Sequence, residues 1–211
     1  HPSICFWGIS NEITMGEESD ELVENQRILQ KLCHKLDPSR KTVLANLTTV
    51  ESQSEQNKIT DLSAYNVYMG WYAGKVEDCG AWMDSLHKEN SDMCMGISEY
   101  GADTNVQYHS DAPKRQDYTE EYQSYYHEKM LQAIQERPYL WCSFVWNMFD
   151  FAADARDQGG EPGMNHKGLM TFDRKVKKDS FYIYKAYWSK EPFVHLCGSR
   201  YVDRTEAVTT V

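Results

Sequence analysis

The sequence lacks the features that mark several classes of protein. No apolar run approaches the roughly 20 residues that a membrane-spanning helix requires, and there is neither an internal repeat nor a low-complexity segment. Basic residues are outnumbered by acidic ones, 22 Lys and Arg against 32 Asp and Glu, so the net charge is −10. This balance disfavours nucleic acids and anionic membranes as partners, since both attract basic surfaces.

Paired cysteine motifs are also absent. None of the six cysteines stands in C-x-x-C spacing, which argues against a zinc ribbon or a dithiol redox motif. Cys5, Cys94 and Cys142 lie in predicted strands, where cysteine packs as a small hydrophobe. We interpret all six as reduced thiols, which is consistent with a cytoplasmic protein.

The N-terminus, His1-Pro2-Ser3, has no initiator methionine and no signal peptide. An apolar run follows within a few residues, so we expect the chain to be cut from a larger protein. Its 211 residues, of which 41% are hydrophobic, suffice for one domain with a real core. The 6 Trp and 14 Tyr predict a large aromatic core, and some of these rings suit sugar binding.

Short apolar runs alternate with amphipathic stretches along the chain. They predict strands at 4–9, 42–45, 64–69, 93–98 and 140–146, and helices at 19–36, 75–89, 117–136 and 179–188. Residues 48–60 read as a loop or short helix, and 157–168 as a Gly-rich loop. The βαβα order predicts a parallel sheet with helical crossovers.

Residues that can do chemistry follow several predicted strands, at Glu12, Asn46, Tyr68, Glu99 and Asn147. This placement is typical of a (β/α)₈ barrel, whose active site lies at the carboxyl ends of its strands. A complete barrel takes about 250 residues, so we expect one that lacks its first three strands. A pair of carboxyl groups such as Glu12 and Glu99 is the machinery that breaks a glycosidic bond.

Five longer motifs carry a resemblance to a known family. They occur at 1–12 (ending Trp7-Gly8-Ile9-Ser10-Asn11-Glu12), 66–72 (Asn-Val-Tyr-Met-Gly-Trp-Tyr), 98–102 (Ser-Glu-Tyr-Gly-Ala), 144–151 (Phe-Val-Trp-Asn-Met-Phe-Asp-Phe) and 168–179. In this order they resemble glycoside hydrolase family 2, and the last is similar to its β-galactosidase members. Five ordered motifs are far more specific than any one of them.

The resemblance implies an incomplete TIM barrel containing strands 4–8, with its catalytic portion at 1–200. Residues 201–211 would lead towards a following β-sandwich domain. It also implies a retaining mechanism, in which Glu99 is the nucleophile and Glu12 the acid/base. Without the resemblance, Glu12 reads equally well as an exposed loop glutamate and Glu99 as a strand-end carboxylate paired with a base.

Further roles follow by analogy with the same family. Asn11 would bind the sugar 2-hydroxyl, Tyr68 would hydrogen-bond Glu99, and Trp146 would form the floor of the pocket. A strand-end turn is the alternative for Asn11 and a core position for Tyr68. For four further residues, packing and sugar contact are equally plausible: Trp71, Tyr72, Asn147 and Asp150.

The sugar is left open between two members of the family. In β-glucuronidases an Asn-x-Lys pair, here Asn165 and Lys167, contacts the sugar carboxylate, and similar spacing occurs in galactosidase-like members. Gly168-Leu169-Met170 and Lys177-Lys178-Asp179 favour β-galactosidase, which is the preferred prediction. The alternative of another class is an inactive structural fragment that needs the missing strands and associates through unpaired strand edges.

The resemblance also covers cofactors and partners. Some members bind Mg²⁺ or Na⁺, but no ligand for either can be assigned, and the remaining histidines show no clustered metal spacing. The expected partner is a carbohydrate substrate, with no nucleic acid or membrane, and the resemblance allows a homo-oligomeric parent.

Overall fold

The structure is a computed structural model that describes residues 1–14 and 18–204. The chain divides into two compact units. The first comprises the described parts of His1–Val67, Asp78–Tyr100 and Ile134–Phe144, and the second those of Tyr68–Glu77, Gly101–Ala133 and Val145–Val211. Most of the predicted tail, residues 205–211, lies outside the described residues.

The first unit contains a four-stranded parallel sheet. Its strands, in spatial order, are β1 (Phe6–Asn11), β2 (Lys41–Leu47), β3 (Leu62–Asn66) and β4 (Met95–Glu99). Helix α1 (Asp20–Leu36) lies between β1 and β2 in sequence, and a 3₁₀ turn at Val76–Asp78 followed by α2 (Cys79–Glu89) lies between β3 and β4. The predicted parallel sheet with crossover helices is confirmed.

Local chemistry explains where α1 begins and ends. The side chain of Ser19 accepts a hydrogen bond from the backbone N–H of Leu22, as an N-cap residue does. Acidic residues occupy the first turn and basic residues the last, in the sense that the helix dipole favours. Asp37 precedes Pro38, which disfavours helical backbone at Asp37.

The predicted fifth strand, 140–146, is only partly formed. The backbone N–H groups of Trp141 and Phe144 donate to carbonyls of β4 at 3.0 and 2.9 Å, but a single parallel bridge, Ile97–Ser143, is present. The apolar run correctly indicated a segment beside β4, but none of its residues is buried and Phe144 is 53% exposed. Lying beside a strand does not ensure a continuous ladder, because an apolar run is compatible with several backbone conformations.

The main helices of the second unit are α3 (Glu120–Gln135) and α4 (Asp179–Trp188). The last two residues of α3 belong to the first unit. A short antiparallel pair, β5 (Phe151–Ala152) and β6 (Met164–Asn165), brackets the Gly-rich segment. The predicted loop at 157–168 therefore contains a strand. Gly159, Gly160 and Gly163 have positive φ angles of 76°, 80° and 80°, which glycine adopts without strain.

Among the described residues, no helix is both long enough and apolar enough to cross a lipid bilayer.

Candidate active site

The carboxyl ends of the four strands place the predicted catalytic residues of the first unit along one edge of the sheet. Glu12 follows β1, and its N–H donates to the carbonyl of Ala45 on β2 at 3.0 Å. Glu99 ends β4, where it is paired in register with Asn66 at the end of β3. Both glutamate side chains are partly exposed. The strand order thus brings the two carboxylate-bearing ends to the same edge.

Asn66 links these strand ends through its side chain. Its Nδ2 donates to Glu12 Oε1 at 2.8 Å and to Asn11 Oδ1 at 3.0 Å, and its Oδ1 accepts from Ser98 Oγ at 2.6 Å. Only 2% of Asn66 is exposed. The sequence prediction missed this residue because it set the third strand at 64–69, whereas β3 ends at Asn66.

The backbone of Glu12 has a φ of 52°, in the left-handed region that non-glycine residues avoid. Such a conformation costs on the order of 1–3 kcal/mol and persists where the surroundings enforce it, often at a functional site. The backbone bond to Ala45 and the side-chain bond from Asn66 hold this position. The carboxyl group of Glu12 is therefore fixed from two sides.

The second unit contains a buried cationic cluster around Lys167, which is 1% exposed. Lys167 Nζ donates to Tyr72 Oη at 2.8 Å and forms a close ion pair with Asp103. Arg156 Nη2 donates to the same Tyr72 Oη at 2.9 Å, and its Nη1 lies 3.8 Å from Asp103. The two cations face one carboxylate, so these three charges sum to +1.

Aromatic rings enclose the ammonium group of this cluster. Lys167 Nζ lies 4.7 Å from the ring centroid of Tyr72, 5.5 Å from that of Tyr68 and 5.7 Å from that of Trp71. Contacts of this kind stabilise a cation that has been removed from water. Tyr68 thus has a defined neighbour in Lys167, and its predicted bond to Glu99 stays a prediction.

The remaining predicted binding residues of the second unit cluster around the backbone of Lys167. Asn147 N–H donates to the Lys167 carbonyl at 3.1 Å, and Asn165 Oδ1 accepts from the Lys167 N–H at 3.0 Å. The ring of Trp146, which is partly exposed, packs edge-on against Phe151, and the Trp146–Asn147 peptide bond is cis. These contacts position Lys167, while direct sugar contacts by Trp146, Asn147 and Asn165 stay predictions.

One sequence argument for galactosidase has a different explanation in the structure. Lys178 is fully buried and donates to Asp150 Oδ1 at 2.7 Å and to the carbonyls of Thr104 and His166, both at 3.0 Å. Burial raises the pKa of Asp150 to about 6, and the neighbouring Lys178 charge opposes that rise. Lys178 is therefore explained by its contacts within the scaffold, without a contact to the sugar.

Comparison with known proteins shows the family of the chain. The family model described as "Glycosyl hydrolases family 2, TIM barrel domain" matches residues 1–191. This chain belongs to glycosyl hydrolase family 2. The predicted fold class is thereby confirmed, because the parallel strands and crossover helices correspond to part of the family-2 barrel.

Individual family-2 proteins are also similar to the chain. A curated "Beta-glucuronidase" of Bacteroides fragilis is 43% identical over 206 residues, which are 95% of this chain and 29% of that protein. A crystal structure titled as an FMN-binding β-glucuronidase from Facaelibacterium prausnitzii L2-6 has a TM-score of 0.94 and 53% identity, covering 97% of this chain and 32% of the other.

A third similar protein has another name. The crystal structure of a putative β-galactosidase from Bacteroides fragilis has a TM-score of 0.90 and 37% identity, covering 98% of this chain and 31% of the other. The chain thus spans about a third of the length of its relatives. The more similar two are named as β-glucuronidases, so the comparisons favour the alternative over the preferred prediction of β-galactosidase.

Proposed function

We propose that this chain is the catalytic part of a retaining β-glucuronidase. The observation that carries the proposal is the cluster of Lys167, Arg156 and Tyr72 in the second unit, which combines a net positive charge with hydrogen-bond donors. A glucuronide differs from a galactoside in the carboxylate that replaces its C6 hydroxymethyl group and in the configuration of its C4 hydroxyl. A positively charged site favours the former.

The cluster has the donors that such a carboxylate needs. Tyr72 Oη accepts hydrogen bonds from both cations, so its own O–H proton points elsewhere and is available to an acceptor. Tyr72 is 49% exposed, and Arg156 carries further N–H donors in a planar fork. Charge-assisted hydrogen bonds of this kind are roughly twice as strong as neutral ones.

The chemistry is proposed for the first unit. Glu99 attacks the anomeric carbon, and the bond to the leaving oxygen breaks as Glu12 gives that oxygen a proton. In the second step Glu12 takes a proton from water, the water oxygen replaces Glu99 at the anomeric carbon, and Glu99 is released as a carboxylate. Asn66 holds Glu12 in position. The proposed role of Asn11, which accepts from the same amide, is to bind the sugar 2-hydroxyl.

A direct test compares two substrates on the natural full-length protein. We expect kcat/KM for 4-nitrophenyl β-D-glucuronide to exceed that for the β-D-galactoside by at least 100-fold, because each hydrogen bond to a charged group contributes about 1.5–3 kcal/mol. Preference for the galactoside would refute the proposal and support the second candidate. That candidate is favoured by the structural similarity to the putative β-galactosidase.

A substitution at Arg156 tests whether the cluster itself selects the carboxylate. Arg156→Gln keeps a donor to Tyr72 but removes the charge, and we expect it to lower kcat/KM for the glucuronide by about 10- to 100-fold. The galactoside, which has no carboxylate, should change by less than threefold. Arg174→Gln, an exposed arginine of the same unit, serves as the control. Equal losses on both substrates would assign Arg156 to folding.

A further inference from the structure

A second group of chemically competent side chains lies in the second unit, around the start of α4. A carboxylate oxygen of Asp179, a ring nitrogen of His195 and the sulfur of Cys197 all lie within 4.8 Å of one another. We propose that these three side chains bind a zinc ion. Nitrogen, thiolate sulfur and carboxylate oxygen are the ligands that zinc takes in proteins.

The spacing is close to that of a zinc site. Tetrahedral zinc, with bonds of about 2.0–2.3 Å, places its ligand atoms about 3.3–3.6 Å apart. Asp179 Oδ1 and His195 Nε2 are already 2.9 Å apart. Cys197 is exposed, so its side chain can turn towards this pair without disturbing the core. Three protein ligands leave the fourth position to water.

The charges around Asp179 also favour a bound cation. Asp179 is 3% exposed and Glu120 is 1% exposed, and both contact the single guanidinium group of Arg200. The two carboxylates thus outnumber this cation, and unbalanced buried charge is costly. Arg200 makes its shorter bonds to Glu120, and its contact with Asp179 Oδ1 is 3.2 Å long, so zinc can take the Asp179 oxygen while Arg200 keeps Glu120.

Neighbouring groups already orient two of the ligands. The backbone N–H of Gly198 donates to Asp179 Oδ2 at 2.6 Å, which leaves Oδ1 directed at His195. The ring of Tyr182 stacks on that of His195, with centroids 3.6 Å apart and planes inclined by 11°. Supports of this kind fix the direction of ligand groups at metal sites. A zinc ion here would join the first turn of α4 to residues 195–198.

Cobalt substitution tests the site without any activity assay. The natural full-length protein is treated with a chelator, dialysed and titrated with Co²⁺ under reducing conditions. We expect a near-ultraviolet thiolate-to-cobalt charge-transfer band that saturates at one Co²⁺ per chain and that Zn²⁺ abolishes. Absence of the band, with no zinc retained by elemental analysis, would overturn the proposal.

Matched cysteine variants identify the ligand. Cys197→Ser should remove the charge-transfer band and weaken Zn²⁺ binding at least tenfold, whereas Cys94→Ser, also at an exposed cysteine, should change neither. His195→Gln should weaken binding similarly but keep a displaced thiolate band, and His109→Gln serves as its control. A band that survives in Cys197→Ser would show that another thiol binds the metal and refute the assignment.

Discussion

The candidate catalytic carboxylates of the first unit and the buried lysines of the second unit are held in different ways. In the first, Glu12 and Glu99 end strands at a partly exposed edge, and Glu12 has a neutral amide, Asn66, as its partner. In the second, Lys167 and Lys178 are buried and each contacts a carboxylate, Asp103 or Asp150. Buried charge is tolerated when it is paired and its geometry is fixed.

Under the proposed mechanism, this difference separates the residues that react from those that support the fold. A carboxyl group that exchanges protons or forms a bond must change its charge during turnover, so a permanent opposite charge beside it would oppose one of its states. A lysine that holds backbone carbonyls together, as Lys178 does, keeps one state throughout. In this chain, a buried charged side chain that is paired with an opposite charge is therefore expected to support the fold or to bind substrate.

The largest expected effects come from substitutions of the two proposed catalytic glutamates. Glu99→Gln should reduce kcat for the glucuronide more than 10⁴-fold, since no covalent intermediate can form. Glu12→Ala should retain much more activity on a glycoside whose leaving group needs no proton, and added azide should accelerate it by attacking the glycosyl-enzyme. If azide accelerated the Glu99 variant and not the Glu12 variant, the assignments of nucleophile and acid/base would be reversed. Glu21→Gln, on the exposed first turn of α1, is the control.

The next prediction addresses the scaffold side. Lys178→Met removes one member of a buried pair and should lower the free energy of unfolding by about 3–5 kcal/mol, because Asp150 keeps its burial and loses its partner. Lys175→Met, in a pair whose side chains are 80% and 50% exposed, should change it by less than about 1 kcal/mol. Denaturant titration measures both. Equal effects would show that burial does not distinguish these pairs.

A smaller effect is expected at Asn66, which positions Glu12. Asn66→Asp replaces the amide donor with a second carboxyl group, and a like charge raises the pKa of a neighbouring carboxyl group. We expect kcat to fall about 10- to 100-fold and the basic limb of its pH profile, which reports the acid/base, to move to higher pH. A lower kcat with an unmoved profile would indicate a structural role only.

The smallest effect is expected at Asp61, a carboxylate of the first unit. Burial tends to raise the pKa of Asp61, but hydrogen bonds from Thr42 and His34 outweigh it and lower the pKa from 3.8 to about 2. A carboxyl group whose pKa is lower in the folded state stabilises the protein at pH values above its unfolded-state pKa. This stabilisation is lost as the pH falls through the folded-state pKa. Asp61→Asn should therefore destabilise by about 1–2 kcal/mol at pH 7, and the difference should disappear between about pH 4 and 2.

Much of the fold could be predicted because its signals are local. The period of apolar residues identified α1, and short apolar runs identified the four strands of the sheet, although β3 lies at Leu62–Asn66 and not at 64–69. The alternation of strands and helices predicted parallel pairing. The interruption of 140–146 and the short strand at Met164–Asn165 escaped prediction. Both depend on which backbone lies alongside, and a local pattern does not contain that information.

The sequence by itself determined where Glu12 and Glu99 stand, because the end of a strand can be read from the residues that precede it. Only the tertiary structure decided their surroundings and the meaning of the lysines. Asn66 meets Glu12 across 54 residues of sequence, and Lys167 meets Asp103 across 64. Contacts at such separations depend on strand register and helix packing. Those are set by burial of the whole chain, which no single motif specifies.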